Sequence, residues 1–594
     1  MYKYKYIQRR YILLILLLLN CLGNNQFHKI QINQINKRII LKRKKKMIQN
    51  RSKHFSLEEF MHSSKASYTK LKIRIEKGKI NLFLTYNQYY YGMSHEAFLQ
   101  LSSSLSDFIN LQILDLDIWD SQLDGKVLSA FGNNLAKLSN LQNINFRFSQ
   151  CQSESALSLC SSLSKCKKLS TLQIQFCDIQ IGHKGAQNLG STLEMCKNIV
   201  NLTLDLKNCK IGKQGIIFLC TAFQNCQNLA NLNLELRQNK IGDEGTQILG
   251  AALRKCKNLS KFKIDINVGA QAVFDLCSLL AECNKLSDLA LILDYNNIGA
   301  QNNIGFQKAF TNFSKLTSMN LQLTRNSLGE KEVSDLGFGI INCINLSTLV
   351  LNLEKNKIGQ VGASILGTHL SNCNSLTTLS LDIQENTICD KGASAIAFGL
   401  VKCENLQTLK LDLSQNSIGV QGASNLGSSL GNCKNLSTLN INLRRNRIQA
   451  TGLLNFNQGL FKCNNLQILD LNFESNDVGK RGSSNLFQDL TKCENIYKVQ
   501  VNLAFTYIGS PGAFSLCHGL GKCSNLKILF LDLSIIDIYY DEIIELISVI
   551  ANYKYLTSLT ILLSRHRIDF EMYQTQILNK LLLIKRLVTI FYRF

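Results

Sequence analysis

Proline and tryptophan are almost missing from this 594-residue chain, which has one of each, Pro511 and Trp119. So little proline leaves no Pro-rich linker or stiff extended spacer between domains. Acidic residues are missing from one stretch: residues 1–54 hold 14 Lys/Arg and no Asp or Glu. The formal charge is +24, and the rest of the chain, with 52 basic and 42 acidic residues, is only mildly basic. Although there are 21 cysteines, no CxxC pair occurs, which removes the usual zinc and dithiol motifs. The eight histidines are scattered, with no HExxH and no phosphate-loop or kinase signature. A catalytic centre needs several groups converging on one point, and no such set stands out. The expectation is no catalytic, cofactor-binding or metal-ligating residue and no small-molecule substrate.

What the chain has in abundance is one unit. Cys343 to Gly362 reads CINLSTLVLNLEKNKIGQVG, and ASILGTHLSN completes 30 residues. Leu349, Leu351 and Leu353 alternate, the mark of a strand with one face buried. Asn356 follows, where a side-chain amide can bond backbone groups left open at the strand's end. Ala363, Leu366, Leu370 and Cys373 form the apolar stripe of a helix. The first leucine recurs from Leu111 to Leu556, every 30 residues except for steps of 28 before Leu169 and 27 before Leu286. One strand and one helix per repeat predict a solenoid with parallel strands. Sixteen rungs at about 4.8 Å each give an inner sheet roughly 70–80 Å along its arc, with an irregularity at Val268–Gly269.

The pattern LxxLxLxLxxNxIGxxGAxxLGxxLxxCxN resembles the ribonuclease-inhibitor-like class of leucine-rich repeat, with one extra leucine step that predicts a strand about two residues longer. The resemblance implies an α/β leucine-rich repeat solenoid, a horseshoe with parallel strands on the concave face and helices on the convex face. The domain reading is a basic leader at 1–54, a capping region and first irregular rung at 55–107, the repeats at 108–568 and a C-terminal cap at 569–594. Within the caps, a helix is expected at 56–67, strands at 71–75 and 80–84, an apolar helix at 577–584 and a last strand near 587–590. Pro511 is expected in a turn.

Twelve cysteines, among them Cys373 and Cys403, share one repeat position, which other rungs fill with Phe108, Leu138, Phe313 or Tyr553. A site that accepts large apolar groups is a packing site, and a free cysteine behaves as a small hydrophobe. Buried free thiols suit a reducing compartment, so a cytoplasmic location is expected. The alternative is the secretory pathway or a membrane anchor through the apolar run at 11–23, which follows Lys3, Lys5, Arg9 and Arg10. The basic run Lys37–Lys46 offers a membrane contact for the leader or a solvated tail. Nucleic acid is not expected, because no aromatic residues interleave the basic ones.

Residues between the buried leucines should point onto the concave face. The central outward row holds seven acidic residues and one basic, Arg147. The candidate partner-binding residues are Asp117, Trp119, Asp205, Glu235, Asp265, Asp382, Asp412 and Asp532, bordered by Arg237, Arg444 and Arg445. Asp390 and Glu404 are expected on the convex side. The expected function is a non-catalytic scaffold that binds another protein, one with a basic surface, on this face. The resemblance also implies one alternative, a GTPase-activating protein of the leucine-rich-repeat type; a further alternative is the repeat region of a larger kinase-like protein.

Overall fold

The computed structural model describes residues 70–76, 79–84, 87–88, 102–103, 108–119, 125–149, 152–301, 305–480, 483–485, 487–488, 494–563 and 589–593; the leader at 1–54 and the helices expected at 56–67 and 577–584 lie outside them. The sheet begins with an antiparallel hairpin, Lys70–Glu76 and Lys79–Leu84. Lys70–Glu76 then pairs in parallel with Ile113–Trp119. From there to Ser558–Leu562, sixteen strands run parallel, each bonded to the next in sequence. Thr589–Arg593 adds a final parallel strand beside Ser558–Leu562.

Each rung follows the same logic. In the strand Thr348–Asn352, Leu349 and Leu351 point inward and are fully buried. Most strands after residue 200 have five residues, so the extra leucine falls just past the strand instead of lengthening it. Leu353 is still fully buried, and its N–H bonds Asp382 O of the next rung at 2.7 Å. The helix Gly359–Leu370 turns Ala363, Leu366 and Leu370 onto the same core. Helices pack backbone to backbone where their residues are small. A Cβ on Gly367 would lie 2.3 Å from Ala395 O, so glycine there is required by close approach. Pro511 sits in the first turn of the helix Gly509–Gly521, not in a loop. That position tolerates proline because its N–H would have no helical partner.

Two asparagine ladders hold the rungs in register. In the first, the Nδ2 of Asn356 donates to Leu353 O at 2.8 Å and to Leu323 O of the previous rung at 2.9 Å. Its Oδ1 accepts from Asn326 N and Leu328 N at 2.9 and 3.0 Å. Asn326, Asn386, Asn416, Asn446 and Asn476 repeat this inter-rung bond. A buried turn thereby gains partners for backbone groups that its strand and helix cannot serve. In the 27-residue step this asparagine is absent; Asn296 from the next rung covers the gap by bonding Val268 N and Ile266 O.

The second ladder runs along the edge where the strands begin. In most rungs an asparagine precedes the first leucine and donates to a carbonyl one rung back, as in Asn198 to Lys167 O (2.7 Å), Asn345 to Ser314 O (2.7 Å) and Asn435 to Glu404 O (2.8 Å); Lys168, Lys285, Lys315, Ser375 and Tyr555 stand there in the others. These bonds keep that edge straight from rung to rung.

Candidate functional site

The candidate residues are brought into one continuous row across the sheet. Asp117, Arg147, Gln175, Asp205, Glu235 and Asp265 follow one another strand by strand. So do Asn352, Asp382, Asp412, Asn442, Asn472, Asn502 and Asp532. The row is not central, however. In the five-residue strands it is the last strand residue, at the edge where the chain turns toward the helix. Trp119 closes the strand Ile113–Trp119, in register with Ser149.

That placement gives the row a structural duty the sequence reading did not foresee. Oδ1 of Asp382 accepts Gln384 N at 3.0 Å, and Oδ1 of Asp412 accepts Ser414 N at 3.0 Å. Asp205, Asn352, Asn442, Asn472, Asn502 and Asp532 each accept the N–H two residues on in the same way. This is the local side-chain-to-backbone bond that Asp and Asn supply at turns.

Electrostatics divide the row. In the N-terminal half the carboxylates find cations: Asp117 lies 3.9 Å from Arg147, Glu235 lies 3.5 Å from Lys263, and Asp265 pairs with Arg237. Arg237 also reaches Asp294 at 3.6 Å, so it is committed to the fold instead of bordering a free face. Arg444 likewise pairs with Glu474 at 3.0 Å, whereas Arg445 is exposed. Asp382 and Asp412 stand side by side without an ion pair. Lys355, the cation nearby, is engaged by Glu354 and Glu385 at 2.8 and 3.3 Å. Burial, and then the neighbouring Asp412, push the Asp382 carboxyl up to about 6. Burial raises Asp205 as well. Elsewhere on this face, the Oδ1 atoms of Asn145, Asn231 and Asn233 are buried and accept no hydrogen bond.

Two other sequence readings change. Asp390 is not a free convex residue: its Oδ1 accepts Gly419 N at 2.6 Å, at the start of the next rung's helix. Glu404 lies exposed in the loop after the helix Cys389–Lys402. One pattern was overlooked: Gly427–Gly431 reads GSSLG, the GxSxG spacing of a hydrolase nucleophile elbow. The elbow's chemistry requires a sharp turn from strand to helix. Ser429 instead lies within the helix Val420–Leu430, so the match is one of letters alone. The repeat-position thiols are nearly all buried, and burial pushes Cys166 and Cys403 up to about 11 and Cys196 and Cys373 up to about 12. Among the described residues no cluster of three or more His, Cys, Asp or Glu is placed to hold a metal ion, and no helix is long and apolar enough to cross a membrane.

A family model described as Leucine Rich repeat matches residues 200–220, 372–397 and 405–427. Each matched segment falls within the repeating strand, turn and helix described above, with Asn386 and Asn416 at the ladder position of the last two and Cys209 there in the first. A comparison with curated proteins gives no match.

Proposed function

We propose that this leucine-rich repeat protein is a non-catalytic scaffold that binds a protein with a basic surface on its strand-lined face. Leucine-rich repeats are generally protein-interaction modules. The observation that carries the reading is the adjacent Asp382 and Asp412, which no cation pairs although Ser414 and Asn442 donate to Asp412; the like charges side by side cost Asp382 energy that a bound cation would relieve. The helix that follows most strands supports placing the repeats in the ribonuclease-inhibitor-like class. Charge complementarity of this kind chiefly speeds association and makes it salt-sensitive.

The structure dictates the form of the test. Charge reversal at Asp382 or Asp412 would also remove a backbone cap, so neutralisation to asparagine, the residue of neighbouring rungs, is the cleaner perturbation. Partners are isolated with the full chain, and their affinity is measured for wild type, Asp382→Asn/Asp412→Asn and Glu404→Lys. The double variant is expected to bind about tenfold more weakly at low salt, with Glu404→Lys near wild type. Equal affinity in all three would move the binding surface off this face.

A further inference from the structure

The loops that lead from each helix into the next strand form one edge of the solenoid, and the second asparagine ladder lines them up. Across residues 135–140, 163–168, 193–198, 223–228, 253–258, 280–285 and 310–315 this edge carries ten Lys/Arg against Glu194 and Glu282. All ten basic residues are exposed. Their neighbours do not cancel the charge. Lys165, Lys168 and Lys285 donate to the amide oxygens of Asn133, Asn140 and Asn258, at 3.0, 3.0 and 2.6 Å. Among the described residues only Arg254 of the ten meets a carboxylate, Glu282 at 3.3 Å.

The opposite edge of the same rungs differs. It carries Lys207, Lys210, Arg237, Lys240 and Arg325. Of these, Arg237 is held by Asp265 and Asp294, and Arg325 stacks over Tyr295. The asymmetry therefore belongs to one rim. That rim also bears isolated apolar side chains that the core leaves out: Ile109, Met195, Ile344 and Tyr555, each between 57% and 67% exposed.

We propose that this rim docks on the anionic surface of a lipid bilayer, through phosphatidylserine-type headgroups. Seven rungs make a straight line of exposed cations about 30 Å long, which suits a flat surface. Lysines act there as point charges on flexible stems, and nine of the ten basic residues are lysine. Met195 among them and Ile109 and Ile344 at the two ends of the line reach the headgroup layer. A nucleic-acid ridge would call for arginine forks and stacking aromatics among the cations instead. Docked by this rim, the solenoid would stand on edge with its strand-lined face open to the side. The inference does not depend on the proposed protein partner, because the two surfaces share no residue.

The test is co-sedimentation of the full chain with vesicles of phosphatidylcholine alone and of phosphatidylcholine mixed with phosphatidylserine. Wild type is compared with Lys167→Gln/Lys197→Gln/Lys257→Gln/Lys285→Gln and with an opposite-rim control, Lys207→Gln/Lys210→Gln/Lys240→Gln. Matching melting temperatures establish that all three are folded. The basic residues at 1–54 are common to all three proteins, so differences report the rims. Wild type should bind the mixed vesicles alone, and more weakly as salt rises. The rim variant should lose about a hundredfold in affinity and the control less than about threefold. Equal loss in both variants, no loss in the rim variant, equal binding to phosphatidylcholine alone, or retention by a single-stranded oligonucleotide without vesicle binding would each overturn the proposal.

Discussion

Replacing Asn386 by alanine removes a side chain that ties two rungs together at their turns. Asn386 is 1% exposed, and its Nδ2 faces Leu353 O at 2.8 Å, Gln384 O at 3.0 Å and Ile383 O at 3.1 Å. Its Oδ1 accepts Ile358 N at 3.4 Å and so serves the rung before. An amide has two N–H groups, so at most two of the three carbonyls are fully bonded at once; with Ile358 N, three interactions disappear. Alanine supplies none of them, and each buried group left without a partner costs about 1–1.5 kcal/mol. The expected loss is therefore about 3–4 kcal/mol, read as the shift in a urea unfolding midpoint. Rungs couple mainly to their neighbours, so hydrogen exchange should quicken between about residues 346 and 416 and stay slow near residues 141 and 526. Asn386→Asp should be worse than alanine at neutral pH, where a carboxylate meets carbonyl oxygens. It should improve as the pH falls, because the protonated carboxyl donates. A loss below about 1 kcal/mol for the alanine variant, or protection lost evenly along the chain, would refute the ladder's role.

Other outcomes follow from the same geometry. Gly359 has φ 62°, and at its position in later rungs Cys389 and Gln449 adopt φ 56° and 59°; Gln449→Gly should stabilise by about 1 kcal/mol and Gly359→Ala destabilise by about as much, both read from urea midpoints. Cys389, at the turn, should alkylate well before the buried Cys403; fast labelling of Cys403 would show its burial to be wrong. Thiols whose ordinary value is 9.0 are held up to about 11 at Cys403 and about 12 at Cys196, so the unfolded chain ionises first; stability should be flat near neutrality and fall as the pH rises above 9, in thermal melts across pH. Asp382 is raised from 3.8 to about 6, so the native state holds its proton longer, and wild type should lose stability as the pH climbs through that window; Asp382→Asn should lack the slope and be the more stable of the two at pH 7.

The fold was legible because one physical demand repeats. Leu349, Leu351 and Leu353 alternate, Ala363, Leu366 and Leu370 stand at helical spacing, and sixteen copies leave little room for another topology. Asn356 was legible as a partner for open backbone at its own strand's end. Its reach into the previous rung was not, because Leu323 O lies 33 residues away and nothing local announces it. The left-handed turn residues were hidden for a related reason. Lys355, Glu385, Gln415 and Arg445, just before the ladder asparagines, have φ between 52° and 56° though none is glycine. The ladder's bonds hold them there against their own preference, a tertiary effect that residue type does not encode. The outward row was legible as a row, but its second duty was not. Alternation says which face a side chain takes, whereas capping depends on where the strand stops, and most strands stop just short of the last alternating leucine, as Thr348–Asn352 does before Leu353.

That second duty sharpens the functional question. Asp and Asn cap the turn equally well: Asn352 bonds the N–H two residues on at 2.9 Å and Asp382 does so at 3.0 Å. The cap itself is dispensable, since Ile292 and Leu562 occupy the same row. The fold therefore asks this position for an oxygen at most, and never for a charge. At Glu235 and Asp265 the charge is answered by Lys263 and Arg237 and belongs to the solenoid's internal account of ion pairs. At Asp382 and Asp412 no cation answers it: Asp412 is met only by neutral donors, Asn442 Nδ2 at 2.7 Å and Ser414 Oγ at 2.6 Å, and burial beside that like charge makes the Asp382 carboxylate costly. Asparagine would serve the turn there without that cost. What the two carboxylates add beyond asparagine is negative potential on the strand face, and Asp382→Asn/Asp412→Asn removes that potential while leaving the caps in place. Any change in partner binding by that variant is then assignable to charge, and any change in stability without one assigns the carboxylates to the fold alone.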